Sequence, residues 1–244
     1  MIKKSLFFSF FLFSIIKAQI TIPSKHLSNI DLSNQISSSQ KSIKTYSDYL
    51  EFKKSIEKMA VFEPSRVFFI LGSLYMKEFK FKNKIIRPDL DKALIYFKKS
   101  FKNGNVLAAY YVSLLENKKG NIYESLIVLQ KALHKLSPKD KLYSIFAIEY
   151  ASIVLDNLKD DKDSLKKAIG YIQNVDSRNY AAAYLLANLL YFLGPQYTQK
   201  ASMLLNYACT NTRDKELLKQ CQTNPYIKGN EIKINCPIAS KQER

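Results

Sequence analysis

Few residues of this 244-residue chain have the types and spacing that catalysis requires. The two histidines are far apart, His26 in a polar segment and His134 near the end of a lysine-rich helical stretch. They cannot supply a histidine-based metal site or a Ser-His-Asp triad. The motifs of P-loops, dinucleotide-binding folds, zinc proteases and α/β-hydrolases are missing as well. We therefore expect no enzyme activity, no cofactor and no metal.

A run of aspartates offers the other candidate chemistry. Asp160, Asp161 and Asp163 are close enough in sequence to suggest the general acid and base of a glycoside hydrolase. They also stand directly before a stretch with helical periodicity, where the positive end of a helix attracts negative charge. The sequence therefore favours helix capping for these side chains.

The N-terminus predicts export. Two lysines precede an apolar run from Leu6 to Ile16, and Lys17 and Ala18 follow it. This is the order of charged region, short apolar region and cleavage site in a secretory signal peptide, and the run is short for a transmembrane helix. We assign residues 1–18 to a signal peptide and expect a periplasmic or secreted protein. The alternative is an uncleaved anchor in the inner membrane.

In an exported chain, the three cysteines near the C-terminus predict one disulfide and one free thiol. If a turn near Asn211 and Thr212 joins antiparallel helices, Cys221 lies about 13 Å along the axis from Cys209. A bridge allows a Cα separation of only about 7 Å. We therefore expect a disulfide between Cys221 and Cys236, with Cys209 as a small buried side chain.

Basic residues dominate the charge, with 38 lysines and arginines against 21 acids. Nucleic-acid binding would need these charges to cluster with aromatic residues at a groove. Here they are spread over every predicted helix, and export makes nucleic acid a poor partner, so we expect none. A solvated lysine-rich surface, or attraction to anionic lipid headgroups or acidic polysaccharide, remains open.

The elements that must position any site are helices. Glycine and proline are scarce, with 6 and 7 residues, which is typical of helices joined by short turns. A polar lead-in at 19–44 precedes helical periodicity that begins at a cap on Thr45 or Ser47, and a polar tail follows at 223–244. We divide the helical region, 45–222, into four pairs and a capping helix. The pairs cover about 66–104, which includes a charged connector FKNKIIR, then 105–136, 138–174 and 176–210, and the capping helix covers 213–222.

One template recurs in the four pairs. AAYYVSLL at 108–115 and AAYLLANL at 182–189 share it, and its middle position is always small. In the first helices the small residues are Gly72, Ser113, Ser152 and Ala187, and in the second helices they are Ala93, Ser125, Ala168 and Ala201. Small residues let helices approach closely. A single pair cannot bury both faces, so neighbouring pairs should stack.

The best copy of this template, VFFILGSLY at 67–75 with PDLDKALIYFKKSFKNGN at 88–105, resembles a Sel1-like repeat, a close relative of the tetratricopeptide repeat. The resemblance covers roughly residues 66–210. Later copies drift and are as similar to tetratricopeptide units. Both families imply an all-α fold, a right-handed α-solenoid of stacked antiparallel helix pairs; an irregular helical bundle is the alternative.

The resemblance implies binding rather than catalysis. Such solenoids present a concave surface, lined by their first helices, to a protein or peptide, and exported bacterial members serve in the envelope or in secretion and assembly systems. We expect a scaffold of this kind. The alternative is a basic envelope protein that binds anionic lipid or polysaccharide. A hydrolase of the cysteine-rich Sel1-like type is a weaker alternative, because this chain lacks a cysteine pair in each repeat.

Overall fold

The structure is a computed structural model that describes residues 43–228, and these residues are helical apart from one β-hairpin. They form two compact units, 43–132 and 133–228. The predicted signal peptide, nearly all of the polar lead-in, and Cys236 lie outside the described residues.

The N-terminal unit is built from helices that are neighbours in sequence and pack against each other, α2 on α3 and α3 on α4. An antiparallel hairpin between α2 and α3 pairs Phe79 with Ile86. The elements are α1 (Tyr46–Met59), α2 (Pro64–Tyr75), β1 (Phe79–Phe81), β2 (Lys84–Ile86), α3 (Leu90–Lys102), α4 (Ala108–Lys118) and α5 (Ile122–Leu133).

The C-terminal unit follows the same rule, because α6 packs on α7 and α8, and α8 packs on α7 and α9. A short 3-10 turn, Pro195–Tyr197, leads into α9. The helices are α6 (Lys141–Asn157), α7 (Lys162–Ile172), α8 (Tyr180–Leu193), α9 (Thr198–Asn211), α10 (Lys215–Thr223) and α11 (Pro225–Lys228). The predicted all-α class is confirmed for the described residues.

Side-chain caps fix where the helices begin. The Thr45 hydroxyl accepts a hydrogen bond from the Asp48 backbone N at 3.1 Å, and the Asp48 carboxylate accepts one from the Thr45 backbone N at 2.8 Å. This reciprocal box satisfies two amides that the first turn leaves free. Asp161 caps α7 by accepting from the Asp163 backbone N at 3.0 Å and from the Ser164 hydroxyl at 2.7 Å. The capping interpretation of Asp161 is therefore confirmed.

All eight of the predicted small packing residues are buried. At Gly72 an added Cβ would lie 2.9 Å from the ring of Phe97, so only glycine permits this approach of α2 and α3. Between α4 and α5 the hydroxyls of Ser113 and Ser125 lie 2.6 Å apart, and the Ser125 hydroxyl also contacts the Ser113 carbonyl at 3.0 Å. These two pairs show how a small residue brings two helices together.

The hairpin replaces the charged connector expected between α2 and α3. Helix α2 ends at Tyr75. The rings of Phe79 and Phe81 then pack against Tyr49 on α1, with centroids 5.0 and 6.2 Å away. These contacts join residues about 30 positions apart, so the local sequence pattern does not reveal them.

The predicted disulfide between Cys221 and Cys236 is wrong, because Cys221 pairs with Cys209, and their Cα atoms are 5.8 Å apart. Helix α9 ends at Asn211 as expected. The connector then has extended backbone at Thr212 and Asp214, with ψ 143° and 119°. Residues 212–214 can carry the chain at most about 10 Å, and the Cα separation of 5.8 Å between Cys209 and Cys221 shows that α10 then returns by a similar length. Cys221 therefore lies beside Cys209, and not about 13 Å further along the helix axis as the prediction assumed.

Candidate binding surface

Basic charge is concentrated in the N-terminal unit. Residues 43–132 contain 17 lysines and arginines against nine acids, whereas residues 133–228 contain 13 against nine. The two ranges are similar in length, so the N-terminal unit has twice the formal net charge, +8 (17 − 9) against +4 (13 − 9). Attraction to an anionic partner is therefore expected to be strongest there.

Helices α1, α2 and α3 form a lysine–aromatic cluster in this unit. Tyr75 and Tyr96 stack with ring centroids 5.5 Å apart and planes 7° from parallel. Phe68 lies 6.1 Å from Tyr96. Phe68 and Tyr75 are seven residues apart on α2, a spacing that places two side chains on one helix face. The members of the cluster are Lys53, Phe68, Tyr75, Lys92, Tyr96 and Lys99.

The three lysines of the cluster lie near its rings. Lys53 Nζ is 5.2 Å and Lys92 Nζ 5.6 Å from the centroid of Tyr75. Lys99 Nζ is 5.5 Å from the centroid of Tyr96. A hydrogen bond with Tyr75 raises the pKa of Lys53, and the Asp89 carboxylate raises the pKa of Lys92. Both ammonium groups are therefore charged at neutral pH and attracted by the ring faces.

The hairpin adds a second basic and aromatic feature. Because side chains alternate along a strand, Phe79 and Phe81 share the face that packs on α1, and Lys80 points away from it. Lys80, Lys82 and Lys84 are exposed, and Lys84 Nζ lies 3.8 Å from the ring centroid of Tyr46.

Two other lysines of the N-terminal unit form salt bridges that join two helices, whereas Lys53, Lys80 and Lys92 pair only with acids within four residues of them in sequence. Lys98 Nζ on α3 lies 2.5 Å from the Glu116 carboxylate on α4, and Lys119 pairs with Asp91. Burial would raise the pKa of Glu116, but hydrogen bonds from Asn121 and Lys98 hold it below its ordinary value. These pairs tie α3 to the end of α4, so we do not assign them to the binding surface.

In the C-terminal unit, α6 contains two acids that the sequence analysis missed. Glu149 is 4% exposed and Asp156 is half-buried. Burial raises the pKa of Glu149 to about 7, with a contribution from Asp156, and burial also raises the pKa of Asp156 to about 7. The two are seven residues apart and share a helix face. A lone acid between Ile148 and Tyr150, in an otherwise apolar run, is the signal that could have revealed this site.

The end of the C-terminal unit is closed by residues that we expected in a polar tail. The Asn224 amide donates to the Tyr184 hydroxyl at 3.1 Å and to the Asn188 side-chain oxygen at 3.0 Å. Tyr226 stacks on Tyr191 with centroids 3.9 Å apart. The ordered segment therefore extends past the predicted boundary at residue 222, at least to residue 228.

The structure does not bring together the other side chains that could take part in catalysis or bind a metal. His134 is exposed, and its Nε2 lies 3.3 Å from the Tyr171 hydroxyl. Among residues 43–228, no three or more His, Cys, Asp or Glu side chains are grouped so that they could hold a metal ion. No helix in this range has the length and apolarity needed to cross a membrane.

Comparison with protein-family models, with curated proteins and with solved structures found no match to this chain. The case for the binding surface therefore depends on its own chemistry. That chemistry consists of lysines, most of them exposed, beside half-buried aromatic rings on α1, α2, α3 and the hairpin.

Proposed function

We propose that this chain is an exported helical-repeat scaffold that binds a protein or peptide in the bacterial envelope or in a secretion or assembly system. The proposal includes a right-handed solenoid of Sel1-like or tetratricopeptide-like pairs. The observation that carries it is the burial of a small residue in both helices of all four pairs. This is the packing expected where one repeating unit stacks on the next.

Helix α6 offers an apolar strip for such a partner. Ile145, Ile148 and Leu155 are half-buried, and their spacing of three and seven residues places them on one face of the helix. A partner side chain that covers this strip would remove apolar area from water without unfolding the pair. The second helices also expose apolar residues, of which Met203 on α9 is 68% exposed.

In-cell photocrosslinking tests which surface is used. A benzophenone amino acid replaces Ile148 on a first helix or Met203 on a second helix of the full chain, and captured proteins are identified by mass spectrometry. We expect one dominant protein captured from position 148 and much weaker capture from position 203. Capture from position 203 alone would contradict the first-helix surface, and no capture from either would contradict the scaffold.

A second candidate function is binding of anionic lipid or acidic polysaccharide. It is favoured by the lysine–aromatic cluster and by the exposed lysines of the hairpin. Each lysine near an anionic surface contributes about 1 kcal/mol at moderate salt, and ions screen the attraction between exposed charges. Binding by this surface should therefore decrease strongly as salt is added.

The triple variant Lys80→Glu, Lys82→Glu, Lys84→Glu tests this candidate, with alginate as the polysaccharide probe. Reversal of three hairpin charges should weaken binding by at least about tenfold. The control variant, Lys166→Glu with Lys167→Glu, reverses two exposed charges on α7 of the C-terminal unit. An equal loss in the control variant would show that net charge, and not the hairpin, is responsible.

A further inference from the structure

The two most exposed large apolar side chains in residues 43–228 are adjacent. Val61 is 83% exposed and Phe62 is 84% exposed, and both lie in the turn between α1 and α2. Scattered single apolar residues are ordinary on a protein surface. A neighbouring valine and phenylalanine, both almost fully in water, form an apolar projection, which we call the tip.

Backbone hydrogen bonds fix the conformation of the tip. The Phe62 backbone N donates to the Met59 carbonyl at 3.0 Å, and the Glu63 backbone N donates to the same carbonyl at 3.1 Å. Pro64 then begins α2, and its ring restricts the backbone further. Because the turn is already ordered, insertion of its side chains into another medium costs little additional backbone entropy.

Lysines lie at the same end of the unit as the tip. Lys58 is exposed in the last turn of α1, and Lys54 is exposed one turn earlier. The Ser100 hydroxyl donates to the Ser65 carbonyl. This contact holds the last turn of α3, with Lys102, against the first turn of α2.

The acids beside the tip are paired with basic side chains. Glu57 lies 3.7 Å from Lys53, and Glu63 lies 3.6 Å from Arg66. Their negative charge is therefore offset locally. The end of the unit that carries the tip presents an apolar projection among positive charges.

We propose that the tip inserts into the acyl-chain boundary of an anionic lipid bilayer, while Lys54, Lys58 and Lys102 contact the headgroups. The inference builds on the second candidate function and narrows its ligand to a membrane surface. Apolar side chains flanked by lysines are the combination by which peripheral segments bind such surfaces, since burial and electrostatic attraction act together. A polysaccharide offers no apolar interior for Phe62.

Tryptophan fluorescence tests the insertion directly, because the chain has no tryptophan. Phe62→Trp places a single reporter at the tip of the full chain, and Met203→Trp places a matched reporter on an exposed position of α9. The apolar run near the N-terminus can itself bring the chain to a vesicle, so the readout must be local. Vesicles of equimolar phosphatidylcholine and phosphatidylglycerol are compared with vesicles of phosphatidylcholine alone.

On the anionic vesicles we expect the emission of the Phe62→Trp protein to shift to shorter wavelength, with quenching by lipid brominated on its acyl chains. The Met203→Trp protein should show neither effect. Lys54→Glu with Lys58→Glu, added to Phe62→Trp, should raise the lipid concentration at half-maximal shift by about tenfold. The same charge reversals at Lys166 and Lys167 should leave it nearly unchanged.

An unshifted emission from position 62 would overturn the inference, even if the protein still sediments with anionic vesicles. Alginate binding without that shift would leave the second candidate function standing and refute the tip alone. An equal shift on both kinds of vesicle would overturn the role of the lysines. Absence of binding to both alginate and vesicles would refute the second candidate function itself.

Discussion

The two units use the same packing of helix pairs and differ in what is added to it. The N-terminal unit has a basic hairpin, a lysine–aromatic cluster and an exposed apolar tip. The C-terminal unit has a disulfide, the buried Glu149 with the half-buried Asp156, and a docked terminal segment. In both units, buried small residues in the two helices of each pair let the helices pack closely. The comparison indicates that the basic and apolar groups suited to an anionic partner are concentrated in the N-terminal unit, whereas the C-terminal unit is stabilised by its disulfide and its docked segment.

The largest effect should come from the core of the N-terminal unit. Phe97→Ala removes a fully buried ring that packs against Gly72 and Tyr111, and should lower the free energy of unfolding by about 3–5 kcal/mol. Ile95→Ala, at an exposed position of the same helix, is the control and should change it little. Urea denaturation measures both, and hydrogen exchange should place the loss in residues 43–132. An equal loss in the control would contradict the packing described for α3.

The next largest effect should come from the disulfide of the C-terminal unit. The bridge between Cys209 and Cys221 closes a short loop, so Cys209→Ser with Cys221→Ser should cost about 3 kcal/mol. Cys236→Ser should leave stability unchanged. Urea denaturation with and without reductant measures the difference, and peptide mapping of the unreduced protein identifies the pair. A peptide that links Cys221 to Cys236 would refute the structure at this point.

A pH-dependent effect distinguishes the units as well. The pKa of Glu149 is raised from about 4.5 to about 7, so the folded state binds more protons than the unfolded state between these values. Stability therefore falls as pH rises through that window, and the penalty is complete above it. Glu149→Gln should equal the wild type at about pH 4 and exceed it by about 3 kcal/mol at about pH 8.

Thermal denaturation across that pH range checks this prediction. The matched control is Glu116→Gln in the N-terminal unit, where hydrogen bonds lower the pKa of the native carboxylate. This variant should lose stability above the ordinary glutamate pKa, the opposite sign. The prediction is that burial disfavours the charged form of Glu149, whereas hydrogen bonds favour the charged form of Glu116. A change of stability in the same direction for both variants would contradict it.

The smallest effect concerns the first helix. Thr45→Ala removes the hydroxyl half of the capping box on α1 and should cost about 1 kcal/mol. Ser47→Ala lies two residues further on, where the structure assigns no cap, and should change stability by a few tenths at most. Equal losses would mean that α1 begins later than Tyr46.

Much of the scaffold could be predicted from local patterns, because caps, helix periods and small residues act over a few positions. Gly72 and Ser113 were identified in this way, and both are buried between helices. The sequence also left Thr45 and Ser47 as alternative caps, and the hydrogen bonds decide for Thr45. These features need no knowledge of the tertiary fold.

The features that distinguish the units could not be predicted locally. The hairpin depends on Phe79 meeting Tyr49, and the disulfide depends on the direction in which α10 leaves its connector. The raised pKa of Glu149 depends on its burial in the folded unit. The apolar neighbours Ile148 and Tyr150 suggest this burial but do not establish it. The lysine–aromatic cluster joins three helices, and no single stretch of sequence contains it.

The docked segment at the end of the C-terminal unit covers one side of α8. Asn224 and Tyr226 occupy the side of α8 formed by Tyr184, Asn188 and Tyr191. Another helix could pack on this side of α8 only if it displaced them. The segment therefore blocks this side of α8 against packing by another helix.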